Sequence, residues 1–171
     1  MRKLSIIFIS ILILLIQLTS YSKDTSKGKD YPTFIFKAKT VEGKNIDLKD
    51  YVGKKLIIVN FWATWCPPCR YEIPDLINLQ ENFKEDLLIV GIALDSNVEI
   101  VKKFMGKTKF NYPIVYDEYG INYLYGGISS IPTTFIINYE GKIVERMIGA
   151  RSYDTFESLV KKYLKRQILK N

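Results

Sequence analysis

The chain contains no histidine. That absence removes serine–histidine and cysteine–histidine nucleophile activation, histidine-ligated metal and the usual haem ligand. Cysteine is almost as scarce. The only two, Cys66 and Cys69, are separated by two residues, so no disulfide can staple distant parts of the chain. A structural zinc site wants four ligands, which two thiols without histidine do not supply, and no metal is expected. Covalent c-type haem attachment is excluded because Arg70, not histidine, follows Cys69. A strong charge excess is also missing. The net charge of +7 over 171 residues falls to +5 without Arg2 and Lys3, since no acid occurs up to Ser22. The late basic residues Lys161, Lys162, Lys165, Arg166 and Lys170 read as the solvated face of a helix. No nucleic-acid-binding module is recognisable, so no nucleic-acid partner is expected.

What is present suits a globular domain. Hydrophobic residues make up 47% and charged residues 25%, enough to bury a core. Residues 1–22 read as a secretory signal or membrane anchor. Arg2 and Lys3 start it, and Leu4 to Leu18 is an apolar run broken only by Ser5, Ser10 and Gln17. Ser20 and Ser22 fit a cut after Ser22. As a helix the run reaches about 22 Å, short of a hydrocarbon core of about 30 Å. Cleavage is therefore favoured, while extension over 4–21 would allow an uncleaved anchor. No cysteine lies near the cut, which excludes a lipoprotein. Residues 23–30 (KDTSKGKD) read as a polar linker, and the folded domain is expected over 31–171.

Periodicity outlines that domain. Thr33 to Lys39 alternates, with Phe34, Phe36 and Ala38 on one face and Ile35 as the exception on the other. The turn Glu42-Gly43-Lys44, then Ile46 and Leu48, completes an N-terminal β-hairpin. Leu56 to Phe61 and Leu87 to Leu94 are continuous apolar runs, as in strands covered on both faces. Helices are expected after the cysteines through Phe83, over Asn97 to Thr108, as a turn at Ile121 to Tyr125, and over Ser152 to Lys165. Pro74 should kink the first. The last carries the stripe Phe156, Leu159, Val160, Tyr163, Leu164. Tyr112 to Tyr116, Thr133 to Asn138 and Lys142 to Ile148 read as strands, the last two joined by Glu140-Gly141. The pattern implies an α/β sandwich around a mixed sheet.

A C-x-x-C directly after a buried strand and opening a helix is the redox form of this spacing. Pro67 and Pro68 fit a first helical turn, where a missing N–H costs nothing. Cys66 then falls at the helix N-terminus, where free N–H groups and the dipole favour a thiolate, the attacking species in disulfide exchange. Cys69, one turn further on, can close the disulfide and release the partner. Cys66 is expected to be the nucleophile, accessible in the reduced chain, and Cys69 the resolving thiol. Glu72 stands one turn beyond Cys69; it is a candidate proton acceptor or pKa modulator, and its place equally suits a solvated glutamate near a helix N-terminus.

At these residues a family resemblance becomes close. Phe61-Trp62-Ala63-Thr64-Trp65-Cys66-Pro67-Pro68-Cys69 resembles the active-site stretch of thioredoxins. More narrowly it is similar to the TlpA/ResA-like thiol–disulfide oxidoreductases. Asn60, Glu72, Pro74 and Ile131-Pro132-Thr133-Thr134-Phe135-Ile136-Ile137 carry the likeness, as does the early hairpin leading to Asp50-Tyr51-Val52-Gly53-Lys54. The resemblance implies a thioredoxin-like three-layer α/β/α sandwich. It also implies a cis Pro132 beside the reactive cysteine, with Ile131 and Pro132 presented to an extended substrate, and Trp65 and Pro67 as further contacts. Thioredoxins usually bury an aspartate where Asn60 stands, and asparagine cannot accept its proton. Glu72 takes that place by resemblance.

The implied activity is dithiol–disulfide exchange on protein cysteines outside the cytoplasm, in the periplasm or on the outer face of a bacterial membrane. Pro67-Pro68 offers no thiolate-stabilising donor between the cysteines and leans the reading towards a reductant, within a superfamily whose potentials span roughly 150 mV. By resemblance its tasks would include apocytochrome c haem-attachment cysteines or disulfide repair. A membrane electron donor of thiol-reductase type would recharge it, and no cofactor beyond the Cys66–Cys69 disulfide is implied. Two rivals remain open. One is a thiol peroxidase on the same fold, although Thr64 stands too close to the cysteine for that layout. The other is a non-enzymatic Cu(I) metallochaperone using both thiolates.

Overall fold

A computed structural model describes residues 34–118 and 120–169. The leader 1–22 and the linker 23–30 lie outside the described residues. The first elements are the short antiparallel pair β1 (Lys37–Lys39) and β2 (Asn45–Asp47), with Ala38 opposite Ile46. The central strands are β3 (Leu56–Trp62) and β4 (Leu87–Ala93), buried along their whole length. Strands β5 (Ile114–Tyr116), β6 (Thr133–Ile137) and β7 (Ile143–Ile148) complete a five-stranded sheet in the order β5-β4-β3-β6-β7. β3 runs parallel to β4 and antiparallel to β6, and β4 runs parallel to β5. The sheet is mixed, as the periodicity predicts, and the N-terminal hairpin stands apart from it except for a bridge from Thr40 to Val115.

Side-chain alternation along β3 splits the core in two. Leu56, Ile58 and Trp62 face one layer with Ile89 and Ile136. Helix α1 (Pro67–Asn82) covers that layer through Ile73, Leu76 and Leu79. Helix α4 (Tyr153–Ile168) adds Phe156, Val160 and Tyr163. Ile57, Val59 and Phe61 face the other layer with Val90, Phe135 and Ile137, under Ile35, Phe36, Ile46 and Leu48. Two further helices, α2 (Val98–Met105) and α3 (Ile121–Leu124), lie between β4 and β6 in the chain. The architecture is the thioredoxin-like α/β/α sandwich. Leu159 and Leu164 pack at the edge of the first core as expected. Lys161 and Lys162 of α4 pair with Glu157 and Glu145 at 2.9 and 2.8 Å, while Lys165 and Arg166 are exposed.

The structure departs from the sequence reading at the first strand. Regular pairing starts at Lys37, and residues 34–36 before it are not strand. Ile35 and Phe36 are therefore both buried, although neighbours in a ladder would face opposite ways. The Tyr125 hydroxyl donates to the Phe34 carbonyl at 2.9 Å, and its ring sits 6.0 Å from Phe34 and 6.5 Å from Phe36. Contacts from α3 thus fix this segment in place of a partner strand. Helix α2 is also shorter than Asn97 to Thr108, with Asn97 as its cap accepting from the Glu99 N–H at 2.7 Å. Its end is set where Gly106 takes over as C-cap.

Candidate active site

The site forms where β3 runs out. Ala63 to Trp65 turn the chain, and Cys66 becomes the N-cap of α1 with extended backbone (φ −93°, ψ 105°). Pro67 and Pro68 occupy the first two helical positions. Neither carries an N–H, so the usual set of unpaired donors at a helix start is thinned. The next amide belongs to Cys69, and it donates to Cys66 Sγ at 3.3 Å. No acid stands in the first helical turn to oppose negative charge on that sulfur.

Cys66 and Cys69 are joined in a disulfide. In this form both are buried, Cys66 at 3% exposure and Cys69 at 1%. The sulfur faces the Ile131 carbonyl oxygen 3.8 Å away, and the exposed neighbours are Trp65, at 66%, and Pro67. The Ile131–Pro132 peptide bond is cis. Pro132 precedes β6, so it removes no N–H from the ladder. The Gly149 N–H donates to the Pro132 carbonyl at 2.8 Å. Gly149 has φ +85°, a conformation that favours glycine.

Glu72 is 2% exposed, on the inward face of α1. Its Oε1 accepts from Asn60 Nδ2 at 2.8 Å, and its Oε2 accepts from the Arg151 backbone N–H at 2.8 Å. Asn60 Nδ2 also donates to Thr134 Oγ1 at 2.9 Å. Burial raises the Glu72 carboxyl from 4.5 to about 7, against the two hydrogen bonds, which favour the charged form. Asn60 therefore acts as a donor to the acid, which fits its inability to take the proton itself.

Three participants escaped the sequence reading. Asp95, past the end of β4, accepts from the Thr64 N–H at 3.1 Å and from the Thr64 hydroxyl at 2.5 Å, tying down the turn before Cys66. A lone acid closing an apolar strand was the only sequence clue to it. Arg151 contributes its main chain, which side-chain identity does not reveal. Thr134 was read as strand and as part of the family likeness, with no role beside Glu72. Trp62, the last residue of β3, packs into the first core layer. It is 1% exposed, its ring 5.5 Å from Phe104 and from Phe110. A Cβ on Gly91 would come within 2.7 Å of Ile114 Cδ1 and 3.0 Å of Trp62 Nε1, so any other residue there must displace those side chains. Among the described residues, no group of three or more acidic or cysteine side chains is placed to hold a metal.

Known proteins share this arrangement. The model of the AhpC/TSA family matches residues 28–146. The thiol-disulfide oxidoreductase ResA of Bacillus anthracis is 35% identical over 136 residues, covering 79% of this chain and 77% of that protein. A thioredoxin-family thiol:disulfide interchange protein from Chlorobium tepidum TLS superposes with a TM-score of 0.71 at 36% identity, covering 75% of this chain and 92% of that one. StoA from Bacillus subtilis superposes with a TM-score of 0.64 at 30% identity, over 72% and 93% of the two chains. With a cysteine pair opening a helix on this sandwich, and relatives of this kind along most of its length, the chain belongs to the AhpC/TSA family and is a thiol–disulfide oxidoreductase of the ResA type.

Proposed function

We propose that the chain reduces disulfides of proteins outside the cytoplasm. The observation that carries this reading is Cys66 Sγ at the opening of α1, receiving the Cys69 N–H and facing the carbonyl of Ile131. In the reduced chain the Cys66 thiolate attacks one sulfur of a substrate disulfide. A Cys66–substrate bond forms, and the second substrate sulfur leaves as a thiolate and takes a proton. Cys69 then loses its proton to Glu72 and attacks Cys66 Sγ. The mixed disulfide breaks, the substrate departs as a dithiol, and Cys66–Cys69 is left oxidised. Two electrons have passed from the cysteine pair to the substrate, whose first-released sulfur takes its proton from solvent and whose other takes the one that Glu72 received from Cys69.

Trp65, Pro67, Ile131 and Pro132 flank the reacting sulfur and supply the substrate contacts, with the backbone of Ile131 available to an extended chain. The oxidised pair is recharged by a membrane donor of thiol-reductase type, and no organic cofactor takes part. The apolar leader directs the domain across the membrane, or holds it there through residues 4–21. Substrates include haem-attachment cysteines of apocytochrome c or proteins needing disulfide repair. Trapping tests the reading directly. Cys69→Ser should accumulate mixed disulfides with exported proteins in whole cells, and Cys66→Ser should accumulate none. Alkylation of the wild-type chain in cells should find it mainly as the dithiol, and a mainly oxidised chain would reverse the direction proposed.

A further inference from the structure

Thr64, two residues before Cys66, lines a surface groove of about 230 Å³ with Ile100, Lys103, Phe104 and Lys107. The last four recur at i, i+3, i+4 and i+7, so α2 and the turn after it present them on one face. The inward face of α2 is a different one, with Val101 fully buried. Phe104 is half-buried against Trp62 and forms an apolar wall. Ile100 is 47% exposed and belongs to neither core. An isolated surface isoleucine needs no explanation, but this one borders a groove that begins at the active-site turn.

The rim is basic. Among the described residues neither Lys103 nor Lys107 has an acidic partner, whereas neighbouring Lys102 pairs with Glu99 at 2.7 Å. Arg70, in the first turn of α1, is exposed and no acid shares that turn. The carboxylate behind Thr64, Asp95, is buried and already holds the Thr64 N–H and hydroxyl. The groove thus offers an apolar contact next to two uncompensated cations. Two peptide units separate Thr64 from Cys66, at most about 7 Å of chain, so its occupant lies within a few residues of a disulfide attacked at Cys66.

We propose that this groove docks an extended segment of the protein substrate, one that carries an aliphatic or aromatic side chain beside acidic residues close to the attacked cysteine. The inference rests on the dithiol–disulfide reading above. Charge of this kind acts on encounter and on register, and the apolar side chain supplies the anchor.

The test uses the reduced full chain and three synthetic Cys-x-x-Cys disulfide peptides. One carries a leucine and two glutamates beside the cysteines, one a leucine and two lysines, and one a serine and two glutamates. Each second-order rate is divided by the rate of the same protein with hydroxyethyl disulfide, which is too small to fill the groove. The leucine–glutamate peptide should lead the leucine–lysine peptide by about fivefold at low salt. That lead should vanish in 1 M salt, where the screening length is about 3 Å. Lys103→Glu with Lys107→Glu should invert the order, and Ile100→Ser should erase the advantage of leucine over serine. Equal normalised rates for the three peptides, or an order that survives the charge reversal, would overturn the proposal. Failure of the reduced chain to act on hydroxyethyl disulfide would overturn the dithiol–disulfide reading, and the groove proposal with it.

Discussion

Glu72 holds a buried carboxyl whose two oxygens are both hydrogen-bonded and whose pKa burial lifts to about 7. If it takes the Cys69 proton, it must be ionised first. Turnover limited by resolution should therefore rise with pH through about 7, and Glu72→Gln should remove that rise and slow turnover about ten- to a hundredfold. Stopped-flow decay of a preformed mixed disulfide across pH 5.5–8.5 is the measurement. The same lifted pKa acts on stability. Between pH 4.5 and about 7 the folded chain keeps a proton that the unfolded chain has released. Stability should then fall as pH rises through that window, by up to about 3 kcal/mol. Urea unfolding of the disulfide form should show the decline, and Glu72→Gln should flatten it. Gly91 makes a separate case. Gly91→Ala forces its methyl against Ile114 and the Trp62 indole, and should cost about 1–3 kcal/mol in the same assay.

Among the elements, the turn between β3 and α1 depends on Asp95. Asp95→Ala strands the Thr64 N–H and hydroxyl, and should cost about 1–3 kcal/mol. It should also slow insulin reduction by loosening the residues that deliver Cys66, and Asp95→Asn should recover part of both. The elements also show where a sequence can be read. β3 and β4 were legible because burial on both faces demands unbroken apolarity. α1 was legible because the two prolines and the C-x-x-C pair fix its first residue. Helix α4 followed from its stripe of apolar positions. The N-terminal strand differs from the alternation because Tyr125, at the end of α3 and some ninety positions away, bonds Phe34 and packs on Phe36, and alternation carries no trace of that contact. Glu72 could be named from spacing, but Arg151 could not. The group that holds the acid is a main-chain N–H 79 residues downstream, which every residue type except proline possesses.

For the molecule as a whole, the residues that meet around the cysteine pair run from Asn60 to Arg151, all within the sandwich. A chain begun at residue 31 should fold and reduce insulin as fast as the full-length chain. Size-exclusion chromatography with the insulin turbidity assay checks both. Among the described residues no helix is long and apolar enough to cross a membrane. The shape of the sandwich has one more effect. The stretch from Gly149 to Arg151 gives one N–H to the carbonyl of Pro132 and another to the carboxylate of Glu72. A single three-residue tether thus steadies the ledge where a client strand would lie and the acid that would handle its proton. Any lesion in that tether will blur affinity and pH response together, and kinetic dissection will need to approach the two from opposite ends.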